Sequence, residues 1–141
     1  MKTLCSLLLI LAIFSCSGEE DNTPSAPIND SFDPAEVMAT LLREGELIGV
    51  GHTVNGTVKV YDDAGTTVVV LDPFSSQNGP DLKVYLSKDA NATQYISLGA
   101  LKSTMGKQSY VLTEMPDLAE YKFVLVWCQE FSVLFGKAEL Q

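Results

Sequence analysis

The sequence predicts an all-β domain, an antiparallel β-sandwich or flattened barrel, with one short helix at its N-terminal side. Short alternating apolar and polar runs recur from Gly49 onward, punctuated by Gly-, Pro- and Asp-rich turn signals, which amounts to roughly seven to nine strands. Phe123–Trp127 is an unbroken apolar run of β-branched and aromatic residues, as expected of a strand covered on both faces. Apolar residues make up 46% of the chain and charged residues 19%, enough to build a packed core.

The first residues read as an address. Lys2 supplies a positive start, and Leu4–Phe14 is an apolar stretch interrupted only by Ser6. That is shorter than the roughly 20 residues a membrane span needs and suits the core of a signal peptide, assigned to residues 1–15. Ser15-Cys16 comes next, a small residue directly before cysteine. This is similar to a bacterial lipoprotein signal, in which Cys16 is acylated and becomes the mature N-terminus; an ordinary secretory signal cleaved nearby is the alternative. Cys5 falls inside the segment to be removed. Residues 16–31 (Ser17–Asp30 reads SGEEDNTPSAPIND) form an acidic, Pro- and Ser-containing tether without periodicity. Glu19-Glu20-Asp21 resembles a lipoprotein surface-export signal and equally fits a solvated linker. The expected location is the cell envelope, anchored by lipid in the outer membrane, on its periplasmic face or at the cell surface.

Residues 32–48 are expected to hold the helix and a lead-in. Asp33 can cap, Pro34 suits the first turn, and Glu36 stands at the third helical position. Val37, Met38, Leu41 and Leu42 make an apolar stripe, and Gly45 supplies a stop. Residues 49–141 are the β-domain. Thr57–Tyr61 alternates, Asp62-Asp63-Ala64-Gly65 is a hairpin turn, and Thr66–Leu71 returns until Asp72-Pro73 breaks the strand. Further strands are read at Asp81–Ser87, Tyr95–Leu98 and Ser109–Leu112, and a last one ends near Leu140. In the central run Phe123, Leu125 and Trp127 point one way and Val124, Val126 and Cys128 the other.

Nine Lys and Arg face 18 Asp and Glu, a net charge of −9, and a chain of that sign repels phosphate backbones. Nucleic acid is therefore excluded as a partner. One histidine and no nucleophile elbow, phosphate loop or metalloprotease helix argue against hydrolase chemistry. Asp62, Asp63, Asp72 and Asp81 do not match an EF-hand spacing. Asn78-Gly79-Pro80-Asp81 reads as turn chemistry.

With the strands laid out, several segments together resemble the DM13 domain. They are His52–Val58, Leu71–Phe74, Asn78–Leu86 and Tyr121–Ala138, with support from Leu98–Lys102 and Gln108–Tyr110. The resemblance covers about Gly49–Leu140, and the combination of Asn-Gly-Pro-Asp, Trp-Cys and a C-terminal Phe-Gly-x-Ala carries it. It implies a sandwich related to DOMON domains and extracytoplasmic electron transfer. In that role the cysteine matching Cys128 acts as a bare thiol or helps hold a prosthetic group such as haem, with another protein as redox partner.

Cys128 is accordingly the first candidate site residue. Cysteine is also among the most buried residue types, and Val126, Trp127 and Phe131 around it are apolar, so a packing role stands beside the redox one. With Cys16 taken by lipid, no disulfide partner remains. His52, Met105 and Met115 complete the set of conceivable axial ligands, without a C-x-x-C-H attachment motif. A His52–Cys128 pair falls short of the four ligands of a structural zinc site, and no metal is expected. Two functions fit these residues: an electron-transfer module centred on Cys128, or a non-catalytic surface binding or adhesion sandwich in which Cys128 fills the core.

Overall fold

The computed structural model describes residues 23–141. The signal segment and Cys16 lie outside the described residues.

Nine strands form one continuous sheet: β1 (Ile28–Asn29), β2 (Thr40–Gly49), β3 (Val54–Asp63), β4 (Thr66–Ser76), β5 (Leu82–Ser87), β6 (Tyr95–Ala100), β7 (Gly106–Leu112), β8 (Phe123–Cys128) and β9 (Val133–Glu139). Their order is β1-β7-β4-β3-β2-β9-β8-β5-β6. Every pairing is antiparallel except β1 on β7, where Ile28 lies opposite Gly106. The sheet curls until β6 and β7, far apart in this order, come back into contact. The all-β expectation therefore holds in its flattened-barrel form, as one curled sheet.

Inside the curl, Val58, Val60, Val69, Leu71, Val84, Leu86, Val124, Val126 and Cys128 form one apolar core. Alternation puts them there, since side chains two residues apart along a strand share a face. The assignment for β8 is met: Val124, Val126 and Cys128 are fully buried. On its other face Leu125 is buried as well, but Phe123 and Trp127 stay partly exposed.

The helix expected after Asp33 is not formed, and among the described residues there is no helix. Its first turn does form. The Ala35 N–H bonds to the Asp33 carboxylate at 2.9 Å, and the Val37 N–H reaches the Asp33 carbonyl at 3.2 Å. Met38 then enters the left-handed region (φ 53°), and from Thr40 the chain is strand β2, paired along its length with β3. A helix of this length is marginal alone, and backbone pairing on a sheet outweighs its weak propensity. Gly45, expected to stop the helix, instead lies so close to the Glu139 carbonyl on β9 that a side chain would collide with it.

Asp72-Pro73 does not break β4. The strand runs on to Ser76, and the register slips opposite the proline: Gly56 pairs with Phe74, but Val58 pairs with Leu71. A bulge accommodates a residue that has no N–H for the ladder. The turn before β4 is as expected, with the Gly65 N–H bonded to the Asp62 carboxylate at 2.8 Å.

Residues 23–31, read as part of the tether, are docked along the β6–β7 side of the sheet. The Thr104 N–H donates to the Pro24 carbonyl, Ile28 to Met105, and Asp30 to Lys107.

Candidate functional site

The strand directions bring four connections to one end of the domain. These are the turn between β2 and β3 containing His52, the Gln77–Asp81 loop, the 101–105 connection and the β8–β9 hairpin beyond Cys128. Cys128 is the last residue of β8 and pairs with Leu82, so its sulfur sits in the core just beneath the Asn78–Asp81 loop.

The thiol is fully buried and in no disulfide. Its Sγ donates to the Pro80 carbonyl at 3.0 Å, so the sulfur's polar contact is with the loop and not with a neighbouring strand. The loop is held by its own bonds. Asn78 Nδ2 donates to the Thr23 carbonyl at 3.0 Å, and the Gly79 N–H donates to Asn78 Oδ1 at 2.8 Å. The Gln129 N–H donates to the Asp81 carbonyl at 3.1 Å, and Asp81 pairs with Lys83 at 2.6 Å. Asp81 has φ 52°, a conformation Asp tolerates better than most residues because its short polar side chain can bond locally. The turn chemistry read from Asn78-Gly79-Pro80-Asp81 thus becomes the cover over the cysteine.

His52 stacks flat on Phe135, with ring centroids 3.7 Å apart and planes 9° apart. Phe135 also fills the space above Gly79, where a Cβ would come to 2.7 Å from the ring. His52 and Cys128 are therefore at the same end of the domain but engaged with different partners. Among the described residues no three His, Cys, Asp or Glu side chains gather as a metal site. Met105 lies in a connection at this end, and Met115 comes after β7 at the opposite end, so the conceivable axial ligands are not brought together.

A haem on Cys128 would need a sulfur with an open side and a slot for the macrocycle beside it. The sulfur is instead enclosed by packed core and already bonded to a carbonyl, so the residues as folded do not fit that group.

Sequence reading missed an aromatic cluster on the outer side of β5, β6 and β8. Tyr85 and Tyr95 stack with centroids 4.0 Å apart, and Trp127 lies 6.3 Å from Tyr85. Burial, together with Tyr95 beside it, pushes the Tyr85 hydroxyl up to about 12. The available signal was register. Tyr85 alternates with Lys83 and Ser87 on the face away from Leu86, and counting back through the β5–β6 hairpin puts Tyr95 next to it.

The segments Leu98–Lys102 and Gln108–Tyr110 meet in a buried polar knot. Gln108 Oε1 accepts from the Lys102 N–H at 3.1 Å and from the Tyr110 hydroxyl at 2.7 Å, while its Nε2 donates to the Ser103 carbonyl at 2.9 Å. Asp30 closes the knot from outside, accepting from Lys102 Nζ at 2.7 Å and the Ser109 N–H at 2.8 Å. A cleft of about 820 Å³ lies elsewhere, where β2, β3 and β9 meet, lined in part by Glu44, Glu46 and Glu139.

The family model described as Electron transfer DM13 matches residues 46–140, most of the chain and all four connections around Cys128. The chain belongs to the DM13 family. No curated protein and no solved structure matches it. The DM13 match takes in β3 to β9 and the end of β2, and leaves out the turn after Asp33 and β1.

Proposed function

We propose that this DM13 chain is a lipid-anchored, extracytoplasmic electron-transfer domain whose redox group is the Cys128 thiol. The carrying observation is the Cys128–Pro80 contact: an unpaired sulfur at the loop end of the core, covered by a short loop whose displacement would uncover it. The partner is an extracytoplasmic protein bearing a disulfide. With the loop open, Cys128 loses its proton and the thiolate attacks one partner sulfur. The partner S–S bond breaks, a mixed disulfide forms, and the departing sulfur leaves as a thiolate that takes up a proton. Anchoring is through acylated Cys16 in the outer membrane.

A second reading has a specific observation behind it. Complete burial among Val126, Leu82 and other core residues is what a cysteine that merely fills space would show, and the domain would then be a non-catalytic binding or adhesion module.

Thiol chemistry separates the two. The mature protein is treated under native conditions with a small aromatic disulfide reagent, and mixed-disulfide formation at Cys128 is monitored by mass. Slow but complete modification of folded protein, absent in Cys128→Ser, supports the redox reading. A thiol inert until denaturation, with Cys128→Ser matching the parent in redox assays, supports the binding module. Lipid anchoring is tested separately: Cys16→Ser should release the protein from the membrane fraction.

A further inference from the structure

We propose that the loop end of the domain, the end that carries Cys128, rests on the surface of the phospholipid bilayer that holds the acyl chains of Cys16, with Phe131 as the side chain that enters it. The proposal rests on the lipid-anchor reading above and adds an orientation and an interface to it.

The first observation is where the described chain starts. The Thr23 carbonyl accepts from Asn78, so the chain leaves the domain beside the Asn78–Asp81 loop. Between Cys16 and Thr23 there are few residues, and even fully extended they span at most about 25 Å, at ~3.3–3.6 Å per residue. A tether that short keeps this end of the domain near the headgroups.

The second observation is the character of that end. The tip of the β8–β9 hairpin projects Phe131, which is 65% exposed, and Val133, Val50 and Met105 are exposed on the same end. Its four connections carry few charges. Asp81 is paired with Lys83 and Lys102 with Asp30, which leaves Glu130. The opposite end is more acidic: Asp62 and Asp63 end β3 there, Asp89, Glu114 and Asp117 lie in its turns, and Glu120 is paired with Lys88. Apolar side chains are exposed there too, Val37, Met38, Leu41 and Met115 among them, so the two ends differ in charge and in the aromatic hairpin tip, not in apolar exposure. A domain polarised in this way keeps its acidic turns in water and can set an aromatic tip at the interface, where amphipathic or apolar groups bury a few ångströms deep.

The test uses the full acylated protein reconstituted in phosphatidylcholine vesicles with brominated acyl chains, which quench indole emission on contact. The Trp127→Phe background removes the native indole. Phe131→Trp in that background should lose about half its emission or more, as expected for an interfacial aromatic. Val111→Trp, toward the opposite end of β7, should lose little. Equal emission for Phe131→Trp in plain and brominated vesicles, while the protein still floats with them, overturns the orientation and leaves the anchor standing. Failure to float with Cys16 intact overturns the anchor reading and the orientation with it. Hydrogen exchange on the unsubstituted protein gives a second measure that needs no variant at the hairpin. The amides of Phe131 and Ser132 at the hairpin tip should exchange more slowly on vesicles than in soluble Cys16→Ser, and unchanged rates count against the proposal.

Discussion

The sulfur of Cys128 lies 3.0 Å from the carbonyl oxygen of Pro80, so the thiol and the loop above it hold each other in place. Reactivity of the sulfur should then depend on the opening of that loop. Asn78→Ala removes the bonds to Thr23 and Gly79. Each part-buried hydrogen bond of this kind is worth about 1 kcal/mol, so losing both should make opening roughly thirty-fold more frequent. The rate of Cys128 modification by a small disulfide reagent should rise by that factor, with global stability falling by a similar ~2 kcal/mol because the closed state is the reference for both. An unaltered rate would show that access is controlled elsewhere.

Gly79 faces Phe135, whose ring is also stacked on His52. Gly79→Ala places a methyl 2.7 Å from a ring that is buried and cannot swing away freely. Overpacking of this sort costs about 1–3 kcal/mol. Urea unfolding should show a lower midpoint with an unchanged slope, and the His52→Ala/Gly79→Ala double variant should recover part of the loss, because removing the imidazole frees the ring.

Asp30 gives the fold an acid-sensitive clasp. Burial works against its charge, but the Lys102 ammonium and the Ser109 N–H and hydroxyl outweigh that and hold the carboxyl below its usual value. A carboxyl with a depressed folded value contributes stability above its unfolded pKa of about 4 and loses it as pH falls through the folded value. Asp30→Asn should therefore be less stable than the parent at pH 7. The difference between the two should shrink below about pH 4. Thermal unfolding across that range measures it. A constant difference would mean that the clasp works through shape and not charge.

Tyr85 behaves in the opposite sense. Its hydroxyl is pushed up to about 12 by burial first and by Tyr95 second. The neutral form is the one the fold favours, so this contribution is complete below the unfolded value of about 10 and is lost as pH rises through about 12. Ultraviolet titration at the phenolate band should show two late-titrating tyrosines, Tyr85 and Tyr110, the latter also raised by burial. Tyr95→Phe should bring only the Tyr85 transition to lower pH, by removing the neighbouring hydroxyl.

Much of the fold was legible because strand patterns are local. The alternation of Phe123–Cys128 placed Cys128 with Val124 and Val126, and all three are in the core. Asp62 to Gly65 carried its own turn chemistry, and the turn formed. The stretch after Asp33 misled because its capping residue and first helical turn are real, while the conformation from Thr40 onward is decided by pairing with β3 and not by the local pattern. Pro73 misled for a related reason, since whether a proline ends a strand depends on a bulge opposite Gly56 and Val58 that only pairing creates. The aromatic cluster was hidden because Tyr85, Tyr95 and Trp127 come from three strands.

By itself, then, the sequence determined an acidic β-domain with a leader-like apolar start, a cysteine at the end of its most apolar strand and membership of the DM13 family. Composition, alternation and motif are properties of neighbours along the chain. Only the tertiary structure decided that the strands make one curled sheet, that Pro80 covers the sulfur, and that His52 meets Phe135 instead of Cys128. Those contacts join residues tens of positions apart, and register and curl, which no local pattern encodes, set which of them meet.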